Sequence, residues 1–153
     1  MSLVDDICEA VPLTQFATPP SAQDTDEILR RIKADLHPGQ LAFVEDTSTQ
    51  ILGLTAGYGA GKTVALAAKS TSLAILNQGY TGIVMEPTYP MIRDIWKATF
   101  DKFLEQYGIP YTYRTSPLPE YELHLSKPTR ILCRSIKNGA FTAVGVNAAW
   151  ACF

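Results

Sequence analysis

Eight consecutive residues constrain this chain more than any others: Ala56-Gly57-Tyr58-Gly59-Ala60-Gly61-Lys62-Thr63. They follow a short apolar run, residues 50–55, that reads as a buried strand. They precede a stretch rich in Ala and Leu, residues 62–77, that closes at Gly79 and reads as a helix. Set between a strand and a helix, the octapeptide fits G-x-x-x-x-G-K-[ST], with Ala56 in the place of the first glycine. Glycines let the backbone bend so that successive amide N–H groups point inward at phosphate oxygens. A helix starting near Gly61 adds its positive dipole end and its unpaired donors. Lys62 then reaches the β- and γ-phosphates, and the Thr63 hydroxyl ligates Mg²⁺. Nucleotide binding is the expectation that these residues set.

The rest of the chain is consistent with such a domain. Asp24, three residues before Glu27, looks like the cap of a short helix through Leu36, and His37-Pro38-Gly39-Gln40 looks like its break. Residues 41–44 suggest a further helical turn or two. A second buried strand spans residues 81–86 and stops at Pro87. From Met91 to Tyr107 apolar residues recur at helical spacing (Ile92, Ile95, Trp96, Phe100, Phe103, Leu104), and Gly108 with Pro110 ends that helix. Residues 111–113, 121–125 and 130–133 are strand-like, and 147–153 is a last apolar run. Strands alternating with helices of this length argue an α/β domain with a mainly parallel sheet flanked by helices. Residues 1–23, with Pro12, Pro19 and Pro20, read as a flexible leader, and residues 24–153 as the domain.

Composition excludes several classes. With 46% hydrophobic and 18% charged residues the chain has material for a core, which rules out wholesale disorder. A net charge of −2 argues against a protein held to nucleic acid by bulk charge. The total conceals an acidic first third, residues 1–50, and a basic end: no carboxylate follows Glu122, whereas Lys127, Arg130, Arg134 and Lys137 do. An ordinary solvated surface explains this run, and a surface facing phosphate is the sharper alternative. No apolar run is long enough for a membrane span, and the amino terminus lacks a secretory signal. Cys8, Cys133 and Cys152 are odd in number and widely spaced, which argues against a disulfide framework or zinc site and for a reducing cytoplasm.

Hydrolysis needs a second element: a carboxylate after an apolar strand to hold Mg²⁺ through water, and a glutamate to activate the attacking water. Glu86, after Ile83-Val84-Met85, is the one complete candidate, and such an early acid suits a small-molecule kinase. A strand-end residue leading into Pro87 is the plainer reading of Glu86. The run 147–153 has the right hydrophobicity but contains no acid.

Several stretches in order resemble the ATPase domain of tailed-phage terminase large subunits. They are Leu36-His37-Pro38-Gly39-Gln40, the loop with its preceding Leu54-Thr55, Ile83-Val84-Met85-Glu86-Pro87-Thr88-Tyr89, Arg134-Ser135, and Gly145-Val146-Asn147-Ala148-Ala149-Trp150-Ala151. The resemblance implies a P-loop NTPase fold of the RecA/ASCE-like kind, with ATP and Mg²⁺ as cofactors. It implies an adenine-reading role for Gln40, and phosphate contacts for the loop residues Ala56, Gly57, Tyr58, Gly59, Ala60, Gly61, Lys62 and Thr63. It also implies a motor in the host cytoplasm that drives double-stranded DNA into a procapsid. The implied partners are DNA, a portal, a small terminase subunit and further copies of the chain in a ring. In that family acids follow the strand matching residues 147–153, and a nuclease domain comes later. The expectation here is therefore an ATP-binding fragment, incomplete at the carboxy end and inactive in hydrolysis by itself. A superfamily-2-type helicase fragment, a phosphotransferase using Glu86 and a non-hydrolysing nucleotide-binding module are the alternatives.

Other residues carry weaker signals. Arg93, Arg130 and Arg134 are available to complete the site. Tyr58 is available at the loop tip to stack on a base or sugar, and Thr88 to couple nucleotide state to DNA from the end of its strand. His37 and His124 read as structural, and Trp96 and Phe103 as core.

Overall fold

A computed structural model describes residues 19–137 and 145–153. The leader expected at 1–23 therefore lies mostly outside the described residues, Cys8 with it. Its last part is already helical: α1 (Ala22–Asp35) is capped by Ser21, whose hydroxyl accepts from the Asp24 amide while Asp24 accepts from the Ser21 amide. The cap thus sits three residues earlier than the sequence reading placed it, with Asp24 as the reciprocating residue of the box. α1 ends at Asp35, so the break expected at His37-Pro38-Gly39-Gln40 is present, and Pro38 also opens the next helix, α2 (Pro38–Glu45), ahead of the expected start at Leu41. A proline at the first helical position gives up an N–H that would be unpaired there anyway.

α3 (Lys62–Leu76) begins at the expected lysine. After four linking residues β1 (Thr81–Glu86) starts, and the Gly79 amide in that link donates to Thr129 Oγ1. Beyond β1, α4 (Tyr89–Met91) runs through a π-helical segment (Ile92–Lys97) into α5 (Ala98–Gln106). Gly108, at φ +68°, then turns the chain out of the helix, as its sequence position foretold. The remaining strands are β2 (Tyr111–Arg114), β3 (Glu120–Leu123), β4 (Thr129–Ser135) and β5 (Ala148–Cys152).

The five strands form one sheet in the order β2-β3-β4-β1-β5. β1 pairs in parallel with β4 and β5, whereas β2–β3 and β3–β4 are antiparallel. The sheet is thus mixed rather than mainly parallel, because short turns join β2 to β3 and β3 to β4. Such turns reverse chain direction, whereas the parallel pairs need the long crossovers that helices provide. α3 and the π segment both pack against β1 and β4, and α3 also meets α5 and β5. Trp96, Phe100, Leu104, Tyr121, Leu123 and Ile131 are fully buried between these layers. Ile95, on the apolar stripe by spacing, is 45% exposed. The wider π turn carries more residues per turn than the α-helical spacing assumes.

Residues 50–55 are the main departure from expectation. They form no strand. Their exposure alternates, with Leu52 and Leu54 half-buried and Ile51 92% exposed. Alternation is the side-chain signature of extended chain, but a strand also requires a neighbour for its amides and carbonyls. β5 is hydrogen-bonded to β1 on one side, and residues 50–54 face it across a groove rather than across a ladder.

Candidate functional site

The position of the glycine-rich loop follows from the path of the chain. α3 ends beside the start of β1 and β4, since only Asn77 to Tyr80 link it to β1 and Gly79 touches Thr129. Its 15 residues span about 22 Å at 1.5 Å each, enough to cross the sheet. The amino end of α3, and the loop before it, therefore lie toward the carboxyl ends of the parallel strands. Open α/β sheets bind ligands at that end.

Within the loop, Gly59 and Gly61 take φ +76° and +77°. This left-handed conformation is readily open only to glycine. Gly61 is the cap of α3, has no side-chain cap, and its carbonyl accepts from the Ala65 amide at 2.9 Å. Lys62 curls back over the loop, its ammonium donating to Ala56 O at 2.9 Å and Gly57 O at 2.8 Å. A cation thus sits against the bend, with the first amides of a helix beneath it. Gly57 and Gly59 have open space where a side chain would stand, and Tyr58 between them is fully exposed. Thr63 is half-buried, one residue into the helix.

Gln40 joins this loop from α2. Its Oε1 accepts from the His37 amide at 3.0 Å, and its Nε2 donates to Gly61 O at 3.1 Å. His37 caps the same helix through Nδ1, which accepts from the Gly39 amide at 3.3 Å. The far end of α2 is held by a residue the sequence reading passed over. Lys69, buried on α3, donates to Val44 O at 3.1 Å and Asp46 O at 2.5 Å. Burial pulls the Lys69 ammonium below its usual pKa. A lysine two helical turns beyond Lys62, in a segment otherwise made of small and apolar residues, was the available signal.

A groove of about 560 Å³ runs from Lys62 and Thr63 past Leu66 and Lys69, between residues 50–54 and β5. Glu86 is not among its lining residues. That carboxyl ends β1, is half-buried, and burial raises its pKa. The Glu86 carbonyl accepts from the Ile136 amide, and Ser135 Oγ donates to the carbonyl of Pro87. Thr88 caps α4, its hydroxyl accepting from the Met91 amide.

The three arginines are placed differently from one another. Arg93 is exposed and paired with Asp94 at 2.6 Å. Arg130 is paired with Glu120 at the same distance. Arg134 is buried, and its Nη1 donates to Pro119 O and Cys133 O. Of the histidines, His37 serves α2 as described, and His124 Nε2 meets Thr112 Oγ1 at 2.9 Å. Cys133 and Cys152 are buried free thiols, and Trp96 and Phe103 are buried in the core. Among the described residues no helix is long and apolar enough to cross a membrane.

Comparisons with protein-family profiles, curated proteins and solved structures give no match to this chain.

Proposed function

We propose that this chain is the nucleotide-binding part of a P-loop NTPase of the terminase large-subunit kind, taking ATP with Mg²⁺ at residues 56–63. The observation that carries this reading is the bend at Gly59 and Gly61, with the Lys62 ammonium drawn over the carbonyls of Ala56 and Gly57 at the head of α3. The ammonium exchanges those carbonyls for phosphate oxygens when a triphosphate arrives. The loop amides and the helix end complete the cradle. The Thr63 hydroxyl would ligate Mg²⁺, which would supply neutralising charge to the phosphates. In the intact protein ATP hydrolysis drives double-stranded DNA into a procapsid, in the host cytoplasm, with a portal, a small subunit and further copies as partners.

Calorimetry with MgATP tests the binding step. The wild-type chain gives saturable heat, and Lys62→Ala abolishes it. A wild-type chain that is folded by circular dichroism and gives no heat overturns the reading. A second reading, phosphotransfer using Glu86, draws on the half-buried carboxyl at the same end of the sheet with its raised pKa. A large Mg²⁺-dependent loss of nucleotide affinity in Glu86→Gln would favour it.

A further inference from the structure

Both ends of the Gln40 amide are engaged. The Oε1 end closes the capping box of α2 on the His37 amide, and the Nε2 end holds the carbonyl of Gly61. Gly61 is the residue at which the phosphate-binding bend passes into α3, in a left-handed conformation with no side-chain cap of its own. The two residues are also in close contact: a Cβ on Gly61 would lie 2.5 Å from Gln40 Nε2. The orientation of the Gly61 carbonyl fixes the peptide plane it shares with Lys62, and hence where the Lys62 amide points. α2 cannot slide away from this contact, because the buried Lys69 ammonium ties its other end to α3 through Val44 O and Asp46 O.

From this we infer that Gln40 is a positioning residue of the phosphate loop, acting on every ligand through the triphosphate and not on the base. α2 is then a splint laid along α3 and tied at both ends, which pre-sets the bend before the ligand arrives. A loop held in its binding conformation loses less freedom on binding, so the splint appears as affinity. The inference rests on the proposed triphosphate site and specifies how that site is set.

Two variants of the full 153-residue chain separate this role from its rivals. Gln40→Met keeps the side-chain length and removes both hydrogen bonds. His37→Pro removes only the amide that feeds Oε1 and the imidazole cap, and the φ of −61° at His37 already suits proline. Affinities of each variant and of wild type are measured for MgATP, MgGTP and magnesium tripolyphosphate, which has no base, alongside urea denaturation.

Gln40→Met should weaken all three ligands by a similar factor, about five- to ten-fold for one lost hydrogen bond. His37→Pro should lower the urea midpoint while leaving the three affinities within about two-fold of wild type, since the bond to Gly61 survives. Loss confined to MgATP in Gln40→Met would make Gln40 a base reader and overturn the inference. So would a fall in stability with unchanged affinities, which would reduce Gln40 to a helix cap. If wild type binds none of the three, the triphosphate site itself fails, and the positioning role with it. If wild type binds and Gln40→Met binds equally well, the site stands and only this role is lost.

Discussion

Gly82 and Trp150 are register partners on β1 and β5, and the indole of Trp150 occupies the space where a side chain on Gly82 would be. A Cβ at Gly82 would overlap Cζ2 of that ring, well inside any van der Waals contact. The glycine is therefore fixed by its neighbour across the ladder rather than by its own backbone angles. The same contact seats β5, whose hydrogen-bonded strand neighbour in the sheet is β1.

Gly82→Ala should accordingly destabilise the fold by about 1–3 kcal/mol, the usual range for overpacking a filled core. The urea midpoint reads this directly. Adding Trp150→Leu should recover part of the loss, giving a coupling of ~0.5–3 kcal/mol in a double-mutant cycle. Additive effects would show that the two side chains do not meet.

Tyr121 sets a second test. Its ring is fully buried against Phe100 and Tyr113, at centroid distances of 4.9 and 4.7 Å, and its hydroxyl donates to Asp101 Oδ1 at 2.6 Å. Asp101 also receives the ammonium of Lys97, one helical turn earlier. Burial, helped by the carboxylate, holds the Tyr121 phenol far above its ordinary pKa, so it remains a donor throughout the accessible range. Tyr121→Phe keeps the ring packing and removes the bond to a charged acceptor, a loss of about 1.5–3 kcal/mol. A loss below about 0.5 kcal/mol in chemical denaturation would mean that the hydroxyl is dispensable.

What the sequence made legible was what local pattern alone decides. Lys62 opens α3, residues 81–86 form a strand, and the Trp96, Phe100, Phe103 and Leu104 stripe is buried, because each signal is carried by residues within a few turns. Strand direction was not legible. Residues 111–113 and 121–125 look alike as strands, and only the turn between β2 and β3 makes them antiparallel. Residues 50–55 show the same limit more sharply. Their apolar run was readable, but pairing depends on which strand lies alongside, which no local run encodes. The candidate site was legible in its loop and less so in its supports. His37-Pro38 followed by Gln40 is a capping-box pattern with proline at the first helical position, which a reading of Pro38 as a breaker passes over. Lys69 was passed over because a lysine in a helix is ordinarily solvated, and only the packing of α2 on α3 buries it.

The turn after α2 provides a test in acid. Asp46 accepts from the Thr49 hydroxyl at 2.6 Å and from the amides of Ser48 and Thr49 at 3.0 Å each. These bonds, that from the Thr49 hydroxyl foremost, lower its pKa from 3.8 to about 2. A carboxyl depressed on folding stabilises the native state above the unfolded pKa, and that contribution is lost as pH falls through the native one. The difference in melting temperature between wild type and Asp46→Asn should therefore be constant above about pH 4 and shrink between about pH 4 and 2. A difference that persists unchanged at pH 2 would show that the carboxylate charge is not what the turn uses.

Glu86 gives the opposite sign and bears on function. Burial at the end of β1 raises its pKa above 4.5. A carboxyl raised on folding favours the native state below its unfolded pKa, and that advantage is lost as pH rises through the native value. Glu86→Gln, which cannot ionise, should thus melt higher than wild type at pH 7 and converge with it near pH 4. A group placed for its charge rather than its packing carries such a penalty at functional sites. If the charge serves Mg²⁺ in phosphotransfer, the stabilised Glu86→Gln variant should lose nucleotide affinity in magnesium and keep it in EDTA. If the proposed packaging-motor reading holds, Glu86→Gln gains stability and binds MgATP as wild type does. Calorimetry and thermal melts on the same two proteins decide between them.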